Sequence, residues 1–230
     1  MTARAFTLSD PASLDDLQTF LARAQRVEDG SVRLIGGSGV LAVYAAVLYP
    51  VGLLDETPTV LGLRTFALNV GSDFDVVVPI RSLLLRVERA QELAVKAIES
   101  GADEPATVGL PMEVHTATWA AISPPRGGWH AVPGPDAATL ERVAREGIAE
   151  VAEAVPDAVG ESLVRRVRGE VWGREIPGAE HIPAGAGFAA VSLGFLGDDP
   201  VSTYETGPWT RLTTRRGHVL VKRRAWTLAR

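Results

Sequence analysis

Residues 31–49 read SVRLIGGSGVLAVYAAVLY, and how they are read decides the fold class. Ser31–Ile35 and Val40–Tyr49 are rich in Val, Leu and Ile, the composition of strands, with Gly36–Gly39 as a turn between them. Apart from tyrosine hydroxyls the second segment has no polar side chain, so both its faces should be covered. A rival reading takes Gly37-Ser38-Gly39 with Ala42 as a loose dinucleotide loop, whose glycines would bring the backbone against a pyrophosphate at a helix N-terminus. That site needs a β-α-β alternation and an acidic residue about 20 positions on to hold a ribose. Neither is present, so the stretch reads as a hairpin. Ser38 is no nucleophile elbow either, because Val40 stands where G-x-S-x-G needs its second glycine.

Working outward, Thr59–Leu68 and Phe74–Val78 are two further strands, set off by turn signals at Asp55–Pro58 and Asn69–Asp73. Upstream, Asp10 and Pro11 open a helix in which Leu14, Leu17, Leu21 and Ala24 recur at helical spacing, ending at Asp29-Gly30. Downstream, a helix runs from Ile80 towards Ser100 with Ile80, Leu84, Val87, Ala94 and Ile98 on one face. Met112–Ile122 alternates and reads as a fifth strand. The loop Ser123–Gly128, stiffened by two prolines, leads to Trp129. In the second half Asp136 caps a helix striped by Leu140, Val143, Ile148, Val151 and Val155 and stopped by Pro156. Glu141 with Arg145 and Arg142 with Glu146 add opposite charges four residues apart. Val159–Trp172 is a third amphipathic segment. Pro183–Leu196 is a Gly- and Ala-rich helix with Phe188, Val191 and Phe195 inward. The chain closes on a strand at Val201–Glu205 and a hairpin, Trp209–Thr214 and Val219–Arg224, turning at Arg216-Gly217.

These elements give an α+β protein, with an antiparallel or mixed sheet of about five to seven strands, helices on both faces, and a C-terminal helical segment followed by a β-hairpin. We read residues 1–230 as a single domain, with a sheet-rich half at 1–132 and a helical half at 133–230 as the alternative. The sequence carries no internal repeat.

Composition removes whole classes of chemistry. The 230 residues include no cysteine, which excludes disulfides, thiolate nucleophiles and Cys-ligated zinc or iron–sulfur sites. Lys96 and Lys222 are the only lysines among 23 basic residues, a bias that reflects coding composition rather than phosphate recognition. The first ten residues have no apolar secretory core, and the greasy run Val40–Leu54 is broken by Pro50 and falls short of the ~20 residues that cross a bilayer. A cytoplasmic setting, with no membrane partner, is the expectation. No pattern calls for a cofactor.

Three clusters are candidates for function. Glu113 and His115 lie two apart on the expected fifth strand, so they would share a face, as members of a pocket but with too few ligands for a metal. In the Ser123–Trp129 loop, Arg126 would clamp an anion with Trp129 as a stacking wall, although a turn with an anchoring indole explains the same residues. Charge is the third. Residues 211–230 hold seven basic side chains and no acid, while the other 210 carry 16 basic against 28 acidic. With a turn at Arg216-Gly217, Arg211 would face Lys222 directly, an arrangement that is destabilising unless something negative lies between. Arg211, Arg215, Arg216, Lys222, Arg223 and Arg126 are therefore the expected anion- or partner-binding residues. The function expected from them is a non-enzymatic binding or regulatory protein whose basic hairpin meets an anionic or acidic partner. The alternative is an enzyme or small-molecule binder with a pocket near the Ser123–Trp129 loop and an undefined ligand. Self-association, the acidic part of one copy against the basic tail of another, is a third reading. Nucleic acid ranks below these, because Pro183–Leu196 offers almost nothing polar to base edges.

The strings Ser123-Pro124-Pro125-Arg126-Gly127-Gly128-Trp129, Gly207-Pro208-Trp209-Thr210-Arg211-Leu212 and Arg216-Gly217-His218-Val219-Leu220 resemble those of a conserved, uncharacterised protein family of actinobacteria. The resemblance implies a bacterial cytoplasmic setting and no activity, cofactor or catalytic residue.

Overall fold

The computed structural model describes residues 5–10, 12–52, 55–69, 73–101, 106–155 and 160–222. It divides into two compact units, Met1–Ala45 with Leu63–Ala120, and Ala46–Gly62 with Ala121–Arg230.

In the first unit the chain forms β1 (Ala5–Thr7), α1 (Ala12–Val27), β2 (Ser31–Gly37), β3 (Val40–Leu48), β4 (Thr59–Ala67), β5 (Phe74–Pro79), α2 (Ile80–Glu99) and β6 (Thr107–Gly109). The later residues of β3 and the earlier ones of β4 belong to the second unit. Gly37 lies opposite Val40, leaving Ser38 and Gly39 as a two-residue turn with φ of 52° and 75°. Such primed turns match the right-handed twist of the strands they join, so the hairpin reading of residues 31–49 holds. The strands run in the order β5-β2-β3-β4, and β1 pairs separately with β6. Asp10 opens α1: its carboxylate accepts from the backbone of Ala12 (2.8 Å) and the hydroxyl of Ser13 (2.5 Å). The Ser13 hydroxyl is the main reason its pKa falls below the ordinary carboxylate value. Pro11 lies outside the described residues.

Helices α1 and α2 pack against each other, burying Leu14, Leu17 and Leu21 of the first and Leu83, Leu84 and Val87 of the second. Full burial of each such side chain is worth about 1.5–3 kcal/mol. Polar pairs then close the seam. The amide of Gln18 donates to Glu88 (3.4 Å), that of Gln91 donates to Asp15 (2.6 Å), and Arg81 pairs with Asp29 just beyond α1.

The fifth strand expected over Met112–Ile122 does not form. Residues 112–117 belong to no strand, although Val114 N–H donates to the Val77 carbonyl at 2.7 Å, and Thr118–Ala121 is a 3-10 turn. Trp119 and Ala120 are both buried. Two consecutive buried residues suit a tight turn, whereas a strand with one covered face buries only alternate ones.

The second unit contains β7 (His130–Val132), α3 (Ala137–Ala154), α4 (Glu161–Trp172), β8 (Glu175–Ile176), β9 (Ala179–Pro183), α5 (Ala184–Ser192), β10 (Ser202–Thr206), β11 (Trp209–Thr214) and β12 (Gly217–Lys222). Asp136 caps α3 as read, accepting from the backbone of Thr139 at 2.8 Å; Pro156 and Val159 lie outside the described residues. Trp172, 2% exposed, stacks on Phe188 with centroids 4.4 Å apart. It lies over Gly147, where a Cβ would sit 2.3 Å from the indole. Two expectations need correction. Val191 does not face inward but is 36% exposed, because the interior face of α5 is taken by its alanines and glycines. Arg142 pairs with Glu146 at 3.3 Å, but Glu141 and Arg145 make no such pair.

In all, eight strands are hydrogen-bonded in the order β5-β2-β3-β4-β12-β11-β10-β7, antiparallel at every pairing described, beside the short β1-β6 and β8-β9 ladders. The α+β class stands, with more strands than expected. Each unit has a four-stranded set (β5-β2-β3-β4; β7-β10-β11-β12), a helix pair (α1 with α2; α3 with α5) and a two-stranded ladder. No described helix is long and apolar enough to cross a membrane.

Candidate functional site

The C-terminal hairpin has a different register from the expected one. Thr214 lies opposite Gly217, so Arg215 and Arg216 form the turn; Arg211 faces Leu220, and Lys222 faces Trp209. The like-charge pair that called for an anion is absent. Gly217 is needed for packing rather than for turning: a Cβ there would lie 2.5 Å from the Phe195 ring.

Arg211 is instead held between two rings of its own unit. Its guanidinium carbon is 4.5 Å from the Trp129 centroid and 4.9 Å from that of Tyr204, its cross-strand neighbour. Stacking a cation on aromatic faces is worth about 0.5–2 kcal/mol. Its Nε is buried with no acceptor, and burial lowers its pKa. Trp129 in turn donates from Nε1 to the Pro125 carbonyl at 3.0 Å, so the loop is a turn anchored by its indole. His218 lies on the neighbouring strand with Nδ1 3.1 Å from the Thr213 hydroxyl; burial first, and the charge of Arg211 second, push its pKa below the ordinary 6.5.

The other expected residues are dispersed. The backbone N–H of Arg215 donates to Asp199 (2.9 Å), and Arg216 donates from Nη1 to the Leu196 carbonyl (3.0 Å), tying the turn to the loop after α5. Lys222 is half-buried, Arg126 is exposed, and Glu113 and His115 are exposed on a segment without strand pairing. Arg223 lies outside the described residues. No described set of three or more His, Asp or Glu side chains is placed to hold a metal. A pairing that sequence spacing could not suggest brings His181 Nε2 to 3.4 Å from the Glu205 carboxylate, which also accepts from Thr210 at 3.3 Å.

Two clefts of the second unit stand out. One, of about 560 Å³, lies between residues 55–57 and α4. Its charges are balanced, with Arg165 and Arg174 already paired to Glu161 and Glu150 at 2.6 Å. The other, about 380 Å³, lies along the α3–α5 seam, lined by Glu141, Arg145, Ile148, Val191, Gly194 and Leu196. Ile148 and Val191 are 44% and 36% exposed there. Glu141 and Arg145 have no ion-pair partner among the described residues, and no described side-chain hydrogen bond crosses this seam. Neither cleft is lined by Glu113, His115, Arg126 or Trp129. Sequence reasoning missed the seam because Val191 was assigned to the core and Arg145 to an intrahelical pair.

Among solved structures the chain is similar to DNA polymerase sliding clamps. It aligns with the Caulobacter crescentus clamp at 12% identity and a TM-score of 0.48, covering 97% of this chain and 67% of that one. It aligns with the Bartonella birtlesii clamp, in a structure bound to griselimycin, at 12% identity and 0.47, covering 98% and 66%. The chain thus spans about two-thirds of the length of these clamps. No curated protein matches it. With the Arg211–Lys222 opposition gone, the reading of a basic hairpin awaiting an anionic or acidic partner is withdrawn, and so is that of a pocket at the Ser123–Trp129 loop, whose residues line neither cleft. Residues 124–226 match the domain of unknown function DUF8185. Residues 1–115, half of the chain, match the domain of unknown function DUF8010, and the chain belongs to that family.

Proposed function

We propose that the chain acts as a self-assembling protein, joining copies of itself through the helices of its second unit. The observation that carries this reading is the open α3–α5 seam. Its floor is apolar and solvent-facing, and its rim holds one carboxylate and one guanidinium with no partner among the described residues. Exposed apolar ground with a polar rim is what a protein interface needs, since burying it in a second chain releases water from both surfaces. The charge of the helices favours protein over nucleic acid as the partner. Basic and acidic residues cancel across α1 to α5, whereas a surface that tracks phosphates carries an excess of Lys and Arg. Sedimentation velocity across a wide concentration range is the test. Growth of a species heavier than the monomer supports the reading, and a monomer throughout removes it.

A further inference from the structure

We infer that two copies of the chain pair through α3, the two helices lying antiparallel about a twofold axis with Glu141 of each copy on Arg145 of the other. This rests on the self-assembly reading and gives it a closed geometry.

Ala138, Glu141, Arg145 and Ile148 are all exposed and recur at steps of three, four and three along α3. Alternating threes and fours keep residues on one stripe, which a second helix can follow. The stripe borders the open seam: Glu141, Arg145 and Ile148 line the cleft of about 380 Å³ together with Val191 and Leu196. Ile148 is 44% exposed and Val191 36%. Charge therefore occupies the middle of the stripe, with apolar ground at its C-terminal end and a small residue at the other.

Charge selects both the occupant and its direction. Glu141 and Arg145 have no ion-pair partner among the described residues. Arg142 and Glu146 beside them are paired with each other at 3.3 Å and do not compete. A second α3 laid parallel and in register would set carboxylate on carboxylate and guanidinium on guanidinium. Laid antiparallel, with the axis level with Val143, it sets each carboxylate against a guanidinium, and the four charges alternate in sign around the axis. The same register brings Ile148 of one copy over Ala138 of the other, where the small side chain leaves room for the large one.

One placement thus satisfies the charged centre and both ends of the stripe. A surface complementary to itself uses the same patch on both copies, and such a contact closes at two subunits.

The experiment is sedimentation velocity on the full chain with Glu141→Arg and Arg145→Glu, alone and mixed. Wild type passes from monomer to dimer as concentration rises. A dimer of the first variant holds only arginines at the axis, and one of the second only glutamates, so each associates about tenfold or more weakly. An equimolar mixture faces two arginines with two glutamates and dimerises as wild type does. A wild type that is monomeric at every concentration overturns both this inference and the self-assembly reading. Wild-type species beyond the dimer, single variants that associate as tightly as wild type, or a mixture no tighter than its components overturn this pairing while self-assembly stands. Both charged positions are exposed, and circular dichroism checks that each variant folds.

The chain has no cysteine, so Ala138→Cys and Ile148→Cys report the direction. Mixed under mild oxidation, they form a disulfide-linked dimer. Separately neither does, because in the antiparallel pair each lies about 15 Å along the axis from its counterpart, beyond the reach of a disulfide. A cross-link within either variant alone, or none in the mixture, overturns the antiparallel register.

Discussion

The first unit runs through its ladder strand, helix, three strands, a fourth strand, helix and closing ladder strand: β1-α1-β2-β3-β4-β5-α2-β6. The second begins where the first has its fifth strand. β7 and α3 take the places of β5 and α2, β8 and β9 those of β6 and β1, α5 that of α1, and β10-β11-β12 those of β2-β3-β4, with α4 inserted after α3. Pairings follow the same scheme: β10 lies beside β7 as β2 lies beside β5, and β8 pairs with β9 as β6 with β1. One topology thus occurs twice in circularly permuted order. What specifies it is which elements pair, not where the chain enters, and a permutation is allowed because the ladder strands bring the entry and exit points together.

The two versions are finished differently. The first buries ordinary leucine stripes and bridges its helix seam with polar pairs; the second brings its helices close through glycines, with a tryptophan as pillar, and leaves the seam open. Several substitutions probe that contrast. The largest effect belongs to Trp172→Ala, which should cost about 3–5 kcal/mol in urea unfolding, the usual range for emptying a buried aromatic site. A loss below ~1 kcal/mol would show that the ring is no pillar. Next is Gly187→Val. A Cβ there lies 2.8 Å from the Leu140 carbonyl oxygen, so α3 and α5 must separate, at about 1–3 kcal/mol; unchanged stability would mean that close approach does not define this unit. Arg211→Ala removes the cation between two rings and should cost about 1 kcal/mol, with a red shift of Trp129 emission. A silent spectrum would argue that the stack does not hold in solution. Smaller still, Gln91→Ala opens the bridged seam of the first unit for about 0.5 kcal/mol, read from the same unfolding curves.

The last prediction concerns pH. The unfolded His218 titrates near 6.5 and the folded one lower, so between those values the unfolded chain binds more protons. The neutral imidazole's contribution is whole above 6.5 and fades as pH falls towards the folded value. His218→Gln should flatten that part of the stability profile, and an unchanged slope would assign it to other groups.

Much of this fold was legible in the sequence. Residues 31–49 announced their hairpin, and α1, α2 and α3 were clear from leucine and valine spacing and from the caps Asp10 and Asp136. β1, β6, β7 and β8 are two or three residues long, too short to show a period of two. The C-terminal hairpin was recognised but misaligned. Gly217 looked like a turn residue, and moving the turn by one position changed the partner of Arg211 from Leu220 to Lys222, which created a charge problem the molecule does not have. The candidate site was hardly legible at all, since no local pattern distinguishes an apolar residue that lines an open seam from one in the core.

Helix α5 has a kinetic corollary. Nine residues long with glycines at 185 and 187, it is too short and too glycine-rich to persist in water without its neighbours. It therefore acquires its shape only as α3 and the sheet arrive. Mutations within it should leave the folding rate nearly unchanged and speed unfolding instead, and its amides should exchange no later than those of the packing that holds it.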